Sequence, residues 1–517
     1  MTAARAPEVM RVGQARLTAG LDRFGRMDLR THKEIFGTLR RLPAAQLIEL
    51  AEHADLRGRG GAAFPFATKL RAVRVAATAR KCKPVILVNG CEGEPGSAKD
   101  AMLLLRSPYL VLSGALLAAR ALGARKIVVG VADVGQAAKS VAAAARAEPQ
   151  LRRLVRVVAV PDRFVSGEGG ALVNAVNGNA ALPPGRKRRA SESGVDGLPT
   201  LLSNAETFAQ LAVLGLLGAD GYRSAGTPDE PGTLLLTVGG SAARPAVVEV
   251  PAGVPLGTVL DICEARVQDG VLVGGYHGAW LPAEVAYEVP VSRAGLEAVG
   301  GALGAGVVLP LGAGTCPLGE VARVARYLAA QSSGQCGPCK LGLPGVARAL
   351  SAIADGSGGM DALETTRRAA GAVRGRGACH HPDGTARFVL SALDAFTADL
   401  AAHVFRGGCG LPVQGVLPLP GEPGQSRLLV DWTRCAGHGL CARLVPELVQ
   451  LDRQGYPVFL DMPVPFWLER SAHQAVAMCP ALALRLDRGT PLAVAPGRSA
   501  IAPPRTLVRG GEGVIQG

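Results

Sequence analysis

The stretch KPVILVNGCEGEPGSAKD, Lys83–Asp100, decides the fold. Its first half is an unbroken apolar run, too short for a helix and without alternation, as expected of a strand buried on both faces. Its second half is rich in glycine and carboxylates, and open α/β sheets bind ligands at such strand ends. Working outward, RKIVVGVA (Arg125–Ala132) and VRVVAVPD (Val155–Asp162) repeat the strand pattern, with Ala-rich helical stretches between. Residues 42–223 therefore predict a layered α/β domain, closed by the Gly/Pro boundary SAGTPDEPGT, Ser224–Thr233.

The remainder divides by pattern. Residues 1–41 form an N-terminal extension. Residues 233–310, with LLLTVGG, AVVEVPAG and GVLVGGYHGAW around one helical stretch, predict a small α+β unit that Tyr276 and Trp280 help to close. Residues 315–405 read as helical. Residues 406–426 read as a linker, 427–487 as a compact α+β module, and 488–517 as a disordered tail rich in Gly, Pro and Arg. The fold class is thus α/β multidomain.

At 517 residues the chain exceeds one compact core. A formal charge of +14 accompanies only 4% aromatic residues, too few for the stacking platforms of single-strand binders. The dense basic run Arg186–Arg189 lies in a Gly/Pro/Ser-rich loop and reads as solvated, so the charge points to an acidic redox partner and not to nucleic acid. Tyr109–Ala132 is interrupted by Arg120, Arg125 and Lys126. It reads as a helix followed by a strand, and no uncharged stretch is long enough to span a bilayer. Eleven cysteines with no secretory signal pattern predict a reducing, cytoplasmic compartment in which thiolates are free to hold metal. Cys82, Cys263, Cys316 and Cys409 read as packing or loop residues.

Two glycine-rich segments accompany the strand-end loop of Val88–Asp100: LRGRGGAAFPFATK, Leu56–Lys69, and FVSGEGGALVNAVNG, Phe164–Gly178. Close glycines let backbone N–H groups approach a phosphate or a flat ring. A fourth segment, GLPTLLSNAETFAQLA, spaces Ser203 and Glu206 as a capping box, leaving Asn204 for function.

Together the four segments resemble the NADH-binding flavoprotein subunit of complex I and its hydrogenase and formate dehydrogenase relatives. Those proteins carry, in order, GRGGAGFPTGLKW, NADESEPGTFKD, YICGEETAL and PTxxNNVET. The resemblance runs from about Leu42 to Phe405 and implies that residues 233–310 are a β-grasp domain. It implies FMN as cofactor and NADH as substrate. Gly58, Gly60, Gly61 and Ala62 would line flavin and nicotinamide, Phe64 would stack on the nucleotide, and Lys69 would answer the FMN phosphate. Asn89, Glu92 and Glu94 would hold the ring and nicotinamide, the two carboxylates being the catalytic candidates. Gly167 and Glu168 would sit at the cofactor edge, and Ser203 and Asn204 would complete the phosphate and ribitol contacts. The chain departs from the pattern at Cys91, Gly169 and Ser203, each replacing a carboxylate or amide.

In the helical region SSGQCGPCKLG pairs Cys336 with Cys339, and Cys379 follows far downstream. Spacing alone fits an iron-sulfur cluster or zinc, with His380 or His381 as a nitrogen donor. The family pattern SCGxCxPC implies a 4Fe-4S or 3Fe-4S cluster, with Ser333 at the first cysteine. The C-terminal module holds Cys435, His438 and Cys441 at three-residue intervals, then Cys479-Pro480. This resembles the small one-cluster ferredoxins that feed actinobacterial haem monooxygenases. Three thiolates favour 3Fe-4S; the alternative is His438 as ligand to 4Fe-4S. The joined parts imply an NADH-dependent oxidoreductase passing electrons through FMN and clusters to a protein acceptor. That acceptor would be a haem monooxygenase, a ferredoxin or a thioredoxin-like iron-sulfur subunit. The alternative is a relay subunit that keeps the fold without oxidising NADH.

Overall fold

The computed structural model describes residues 8–132, 136–185, 188–420, 426–459, 464–465 and 468–488. Arg186 and Lys187 of the basic run and the expected tail beyond 488 lie outside them. No single helix among the described residues is long and apolar enough to cross a membrane.

The three expected strands, Val85–Gly90, Lys126–Ala132 and Val155–Val160, pair in parallel. The sheet gains a fourth strand, Thr200–Asn204, parallel to Val85–Gly90 on its other side. This corrects the capping-box reading: Ser203 belongs to the strand, and Asn204 caps the helix Ala205–Arg223 by accepting from Thr207 N at 3.0 Å. Helices cover both faces, among them Pro108–Leu122, which follows the expected helix-then-strand order and packs along Ala205–Arg223. A side chain on Gly114 would strike the Phe208 carbonyl, so glycine lets these two helices touch at their backbones.

The small unit is a six-stranded mixed sheet in the order Glu8–Arg11, Ala246–Pro251, Thr233–Val238, Val307–Leu311, Gly270–Val273, Ala279–Pro282. Its edge strand comes from the segment expected to be a separate extension. Glu249, fully buried, explains why that segment docks: its carboxylate accepts from the backbone N–H groups of Arg16, Leu17 and Thr18 and from the Thr18 and Thr233 hydroxyls. A buried carboxylate is tolerated when its lone pairs are filled in this way.

The helical region comprises Pro317–Ala330, Leu343–Ala354, Gly359–Val373, His381–Ala395 and Thr397–Arg406. Tyr276 and Trp280 do not simply close the small sheet. They are buried in the core of the helical region, against Phe388, Tyr327 and Phe396.

The expected linker is a pinned strap. Buried Glu320 accepts from Gly415 N, Val416 N and Leu417 N as well as from the Thr315 hydroxyl. The strap leads to the C-terminal module, two two-stranded antiparallel sheets, Ser426–Val430 with Leu484–Arg488 and Val449–Leu451 with Pro457–Phe459, plus the helices Leu440–Leu444 and Glu469–Ala477.

Candidate active site and cluster sites

The strand-end loops open onto one cleft of about 1760 Å³. Gly60, Gly61 and Ala62 line it, together with Asn89, Glu92, Glu94, Gly167 and Glu168 from the strand-end loops and Cys379 from the helical region. The sheet pleat decides which residues of the last strand face it. Leu202 and Asn204 line the cleft, whereas Ser203, one residue out of phase, is buried away from it. The expected contact from Ser203 is thereby corrected.

The side chains around the cleft are extensively tied. Asn89 donates to Gly167 O at 2.9 Å and accepts from Cys91 N at 3.1 Å, locking two strand-end loops together. Glu92 accepts from Asp100 N and Ala101 N at 3.1 and 2.9 Å and from the Ser97 hydroxyl, so its carboxylate caps the helix Lys99–Arg106. Glu168 caps Gly169–Val176 by accepting from Ala171 N. Glu94 accepts from Tyr276 N at 2.8 Å, and burial raises its carboxyl to about 7.

Beneath the cleft lies a buried ion network that sequence reading missed. Lys99 Nζ stands 3.0 Å from both Asp100 Oδ1 and Glu206 Oε2, and Asn204 Nδ2 donates to Asp100 Oδ2 at 3.0 Å. Burial opposes the Lys99 charge, but Asp100 and Glu206 outweigh it and hold the ammonium protonated. Arg59, also missed, lines this cleft and a second cavity of about 590 Å³ that holds Gly58, Phe64 and Glu230. Lys69 stands behind the wall: its Nζ donates to the carbonyl of Leu202, and burial lowers its ionisation.

These residues fit a flat anionic cofactor. A side chain on Gly60 would occupy the space against Asn204, and Gly61 holds φ +95°, open to glycine at little cost. Arg59 Nε is buried with no acceptor, an orphaned donor that an anion would satisfy.

In the helical region, Cys336 Sγ lies 3.6 Å from Cys339 Sγ, and Ser333 Oγ 3.7 Å from Cys339 Sγ. Cys339 sits in a π-helical turn, Pro338–Gly342, a local irregularity often found at functional sites. Burial raises the Cys379 thiol to about 11, so a cation must displace its proton. Neither histidine joins this set. His381 has both ring nitrogens engaged, one with His277 at 3.0 Å and one with Leu328 O at 2.8 Å, while exposed His380 pairs with Asp383. The two histidines weighed as nitrogen donors are thus held by other partners, and Ser333 stands beside Cys336 and Cys339. Phe164, His277 and His381 line the cleft and meet one another at tilted or edge-on angles, with ring centroids 4.7–5.4 Å apart.

In the C-terminal module Cys435, His438, Cys441 and Cys479 line a single small cavity of about 20 Å³. Cys479 Sγ accepts from Ala483 N at 3.4 Å.

Residues 51–213 match the Nuo51 FMN-binding domain, 319–403 the NADH-ubiquinone oxidoreductase-F iron-sulfur binding region, and 428–486 a 4Fe-4S single cluster domain. In order along the chain, these matches join a flavin-binding domain to two iron-sulfur regions. Among its relatives is the F-type subunit of NADH-quinone oxidoreductase in Mycobacterium tuberculosis, 29% identical over 390 residues, which are 71% of this chain and 86% of that protein. The α subunit of the NAD-reducing hydrogenase HoxS from Cupriavidus necator is 33% identical over 273 residues, 49% of this chain and 44% of that protein. The fold follows that of an NAD⁺-reducing [NiFe]-hydrogenase in the H2-reduced state. The TM-score is 0.68 at 29% identity, covering 78% of this chain and 68% of the other. The chain accordingly carries an FMN-binding domain and two iron-sulfur domains.

Proposed function

We propose that the chain oxidises NADH and delivers the electrons to a redox protein through its C-terminal module. The observation that carries this reading is the single cleft that runs from the glycine loop to Cys379. When bound, FMN takes a two-electron hydride from a nicotinamide and releases electrons singly to iron-sulfur clusters, which supply the one-electron path.

The protein's part is to bind, orient and manage charge. Gly60, Gly61 and Ala62 would hold the cofactor face, and Arg59, with Lys69 behind the wall, would offset its phosphate charge. Gly58 and Phe64 in the adjoining cavity would receive the nucleotide. Glu94, titrating near neutrality beside the Tyr276 N–H, would hold or release a proton at the cleft. Asn89, Glu92 and Glu168 would act as positioning residues, since their polar atoms already fix the loops. Ser333, Cys336, Cys339 and Cys379 would hold the first cluster, and Cys435, Cys441 and Cys479 the second, with His438 beside it. Two thiolate sets kept reduced suit a cytoplasmic protein, and all eleven cysteines are free thiols. An iron-sulfur subunit or a haem monooxygenase would serve as the acceptor.

Anaerobic addition of NADH to the purified, cluster-loaded chain tests the proposal. Bleaching of the flavin absorption supports it. A bound flavin that neither NADH nor NADPH reduces would overturn it in favour of a relay subunit, the outcome that the changes at Cys91 and Gly169 would then explain.

A further inference from the structure

Two of the cysteines read as packing residues are brought together with a histidine and an aspartate. The ligand atoms of Cys316, Asp399, His403 and Cys409 all lie within 4.8 Å of one another. Cys316 Sγ is 3.2 Å from His403 Nε2, and His403 Nε2 is 3.6 Å from Asp399 Oδ1. Cys316 and His403 are buried, at 2% and 4% exposure, while Asp399 and Cys409 keep a partial opening through which an ion could enter.

We propose that these four side chains form a structural zinc site, separate from both iron-sulfur ligand sets. Two thiolates, one imidazole and one carboxylate make up a mixed S/N/O donor set that suits tetrahedral zinc. An iron-sulfur cluster prefers an all-sulfur set, so this chemistry distinguishes the site from the cysteine clusters elsewhere in the chain. Zinc binding displaces the two thiol protons and leaves one carboxylate and two thiolates around a dication.

The surroundings orient the ligands as supporting groups around metal centres do. Cys316 precedes the helix Pro317–Ala330, and its sulfur accepts from Gly319 N at 3.2 Å. Leu318 N, at the same helix start, donates to Asp399 Oδ2 at 3.0 Å, leaving Oδ1 toward the histidine. Asp399 and His403 are four residues apart on Thr397–Arg406 and so share one helix face. Gly407, in the left-handed region at φ 78°, turns the chain so that Cys409 returns to the same point. His403 Nδ1 is buried without a partner, so every polar contact of the ring lies on the side of the proposed ion.

The location gives the site a purpose. Cys409 begins the strap, and Cys316 N donates to Pro412 O at 2.8 Å. An ion here would fasten the strap to the helical region at one point while Glu320 fastens it at the next. It would thereby set where the C-terminal module stands relative to the cleft.

Metal analysis of the full chain, purified anaerobically with iron and zinc supplied and then dialysed against a weak chelator, tests this. The expected result is about one zinc per chain beyond the iron, with an X-ray absorption first shell of two sulfurs and two nitrogen or oxygen atoms. Cys409→Ser and His403→Asn should each lower zinc several-fold, leave iron and flavin content unchanged, and expose the strap to protease. His403→Asn serves if the cysteine variant fails to fold. A chain without stoichiometric zinc, zinc that survives both substitutions, a four-sulfur shell, or a Cys316–Cys409 disulfide in the purified protein would each overturn the proposal. None of these readouts depends on NADH oxidation.

Discussion

Replacing Lys99 with methionine would remove the ammonium that stands 3.0 Å from both Asp100 and Glu206. The side-chain exposures of the three are 3%, 9% and 2%, so solvent cannot take over the lost pairing. Breaking a buried pair by removing one partner costs about 3–5 kcal/mol, because a charge is left uncompensated in a poorly polarisable interior. For a domain of this size each kcal/mol moves the melting midpoint by about 2–4 °C, so the flavin domain should melt roughly 6–20 °C lower.

The loss should also depend on pH. Burial already raises Glu206, and without Lys99 the two carboxylates repel, so the folded state would hold a proton that the unfolded state releases. A raised carboxyl contributes stability that is lost as pH rises, so Lys99→Met should recover part of its deficit on acidification. Calorimetry of the flavin-free chain at several pH values reads both effects. A shift within about 2 °C of wild type and no added pH dependence would refute the reasoning, since it would mean that the site accommodates bare carboxylates.

Three further outcomes follow from other contacts. Glu94→Gln keeps an acceptor for Tyr276 N but removes the group that titrates near 7, so NADH-driven flavin reduction should lose an inflection near that pH; an unchanged profile would exclude Glu94. Because a carboxyl raised from 4.5 to about 7 opposes folding progressively across that window, the same variant should flatten stability between those pH values. Gly384→Ala should destabilise the junction of sheet and helices by about 1–3 kcal/mol, despite alanine's better helix propensity, because its Cβ would fall 2.2 Å from His277 Cγ. A stabilised variant in thermal unfolding would contradict that packing. Glu320→Ala strips the strap of the acceptor for three backbone N–H groups, so limited proteolysis should cut between residues 407 and 419 faster than in wild type; equal resistance would show that the carboxylate does not hold the strap.

Local pattern and long-range pairing separate what was legible in the sequence from what was not. Val85–Gly90 and Lys126–Ala132 declare themselves because they are apolar on both faces, whereas Val155–Val160, expected to be buried as well, is an edge strand, with Arg156 exposed and only Val160 buried. Thr200–Asn204 did not, because a five-residue strand running directly into a helix carries the same Ser-to-Glu spacing as a capping box. The edge strand Glu8–Arg11 is held through the neighbouring turn at Arg16, which contacts Glu249 at a separation of 233 residues, and no local period announces such a contact. The strap looked like a linker because its glycines and prolines do, while the acceptor that orders it, Glu320, lies in another element.

The same contrast governs the sites. The cysteine spacing announced that Cys336 and Cys339 would lie side by side, and their sulfurs are 3.6 Å apart, while Cys435, Cys441 and Cys479 line one small cavity. The glycine loop and the strand-end carboxylates also meet at one cleft. Sequence could not reveal that Glu92 and Glu168 spend their oxygens on helix caps, since a carboxylate looks alike whether it faces a ligand or a helix end. Arg59 was hidden inside a motif noticed for its glycines. Cys316, Asp399, His403 and Cys409 fall in two stretches with no shared motif, so only folding brings them together.

The most direct test of the electron path is low-temperature electron paramagnetic resonance of the full chain frozen after anaerobic mixing with NADH. The path running from the cleft through the helical cluster predicts reduction of both clusters in wild type. It predicts a surviving helical-cluster signal when Cys435 and Cys479 are replaced by alanine, and no rapid reduction of the C-terminal cluster when Cys336 and Cys339 are replaced. Rapid reduction of the C-terminal cluster in that last variant, or no cluster reduced in wild type, would contradict it.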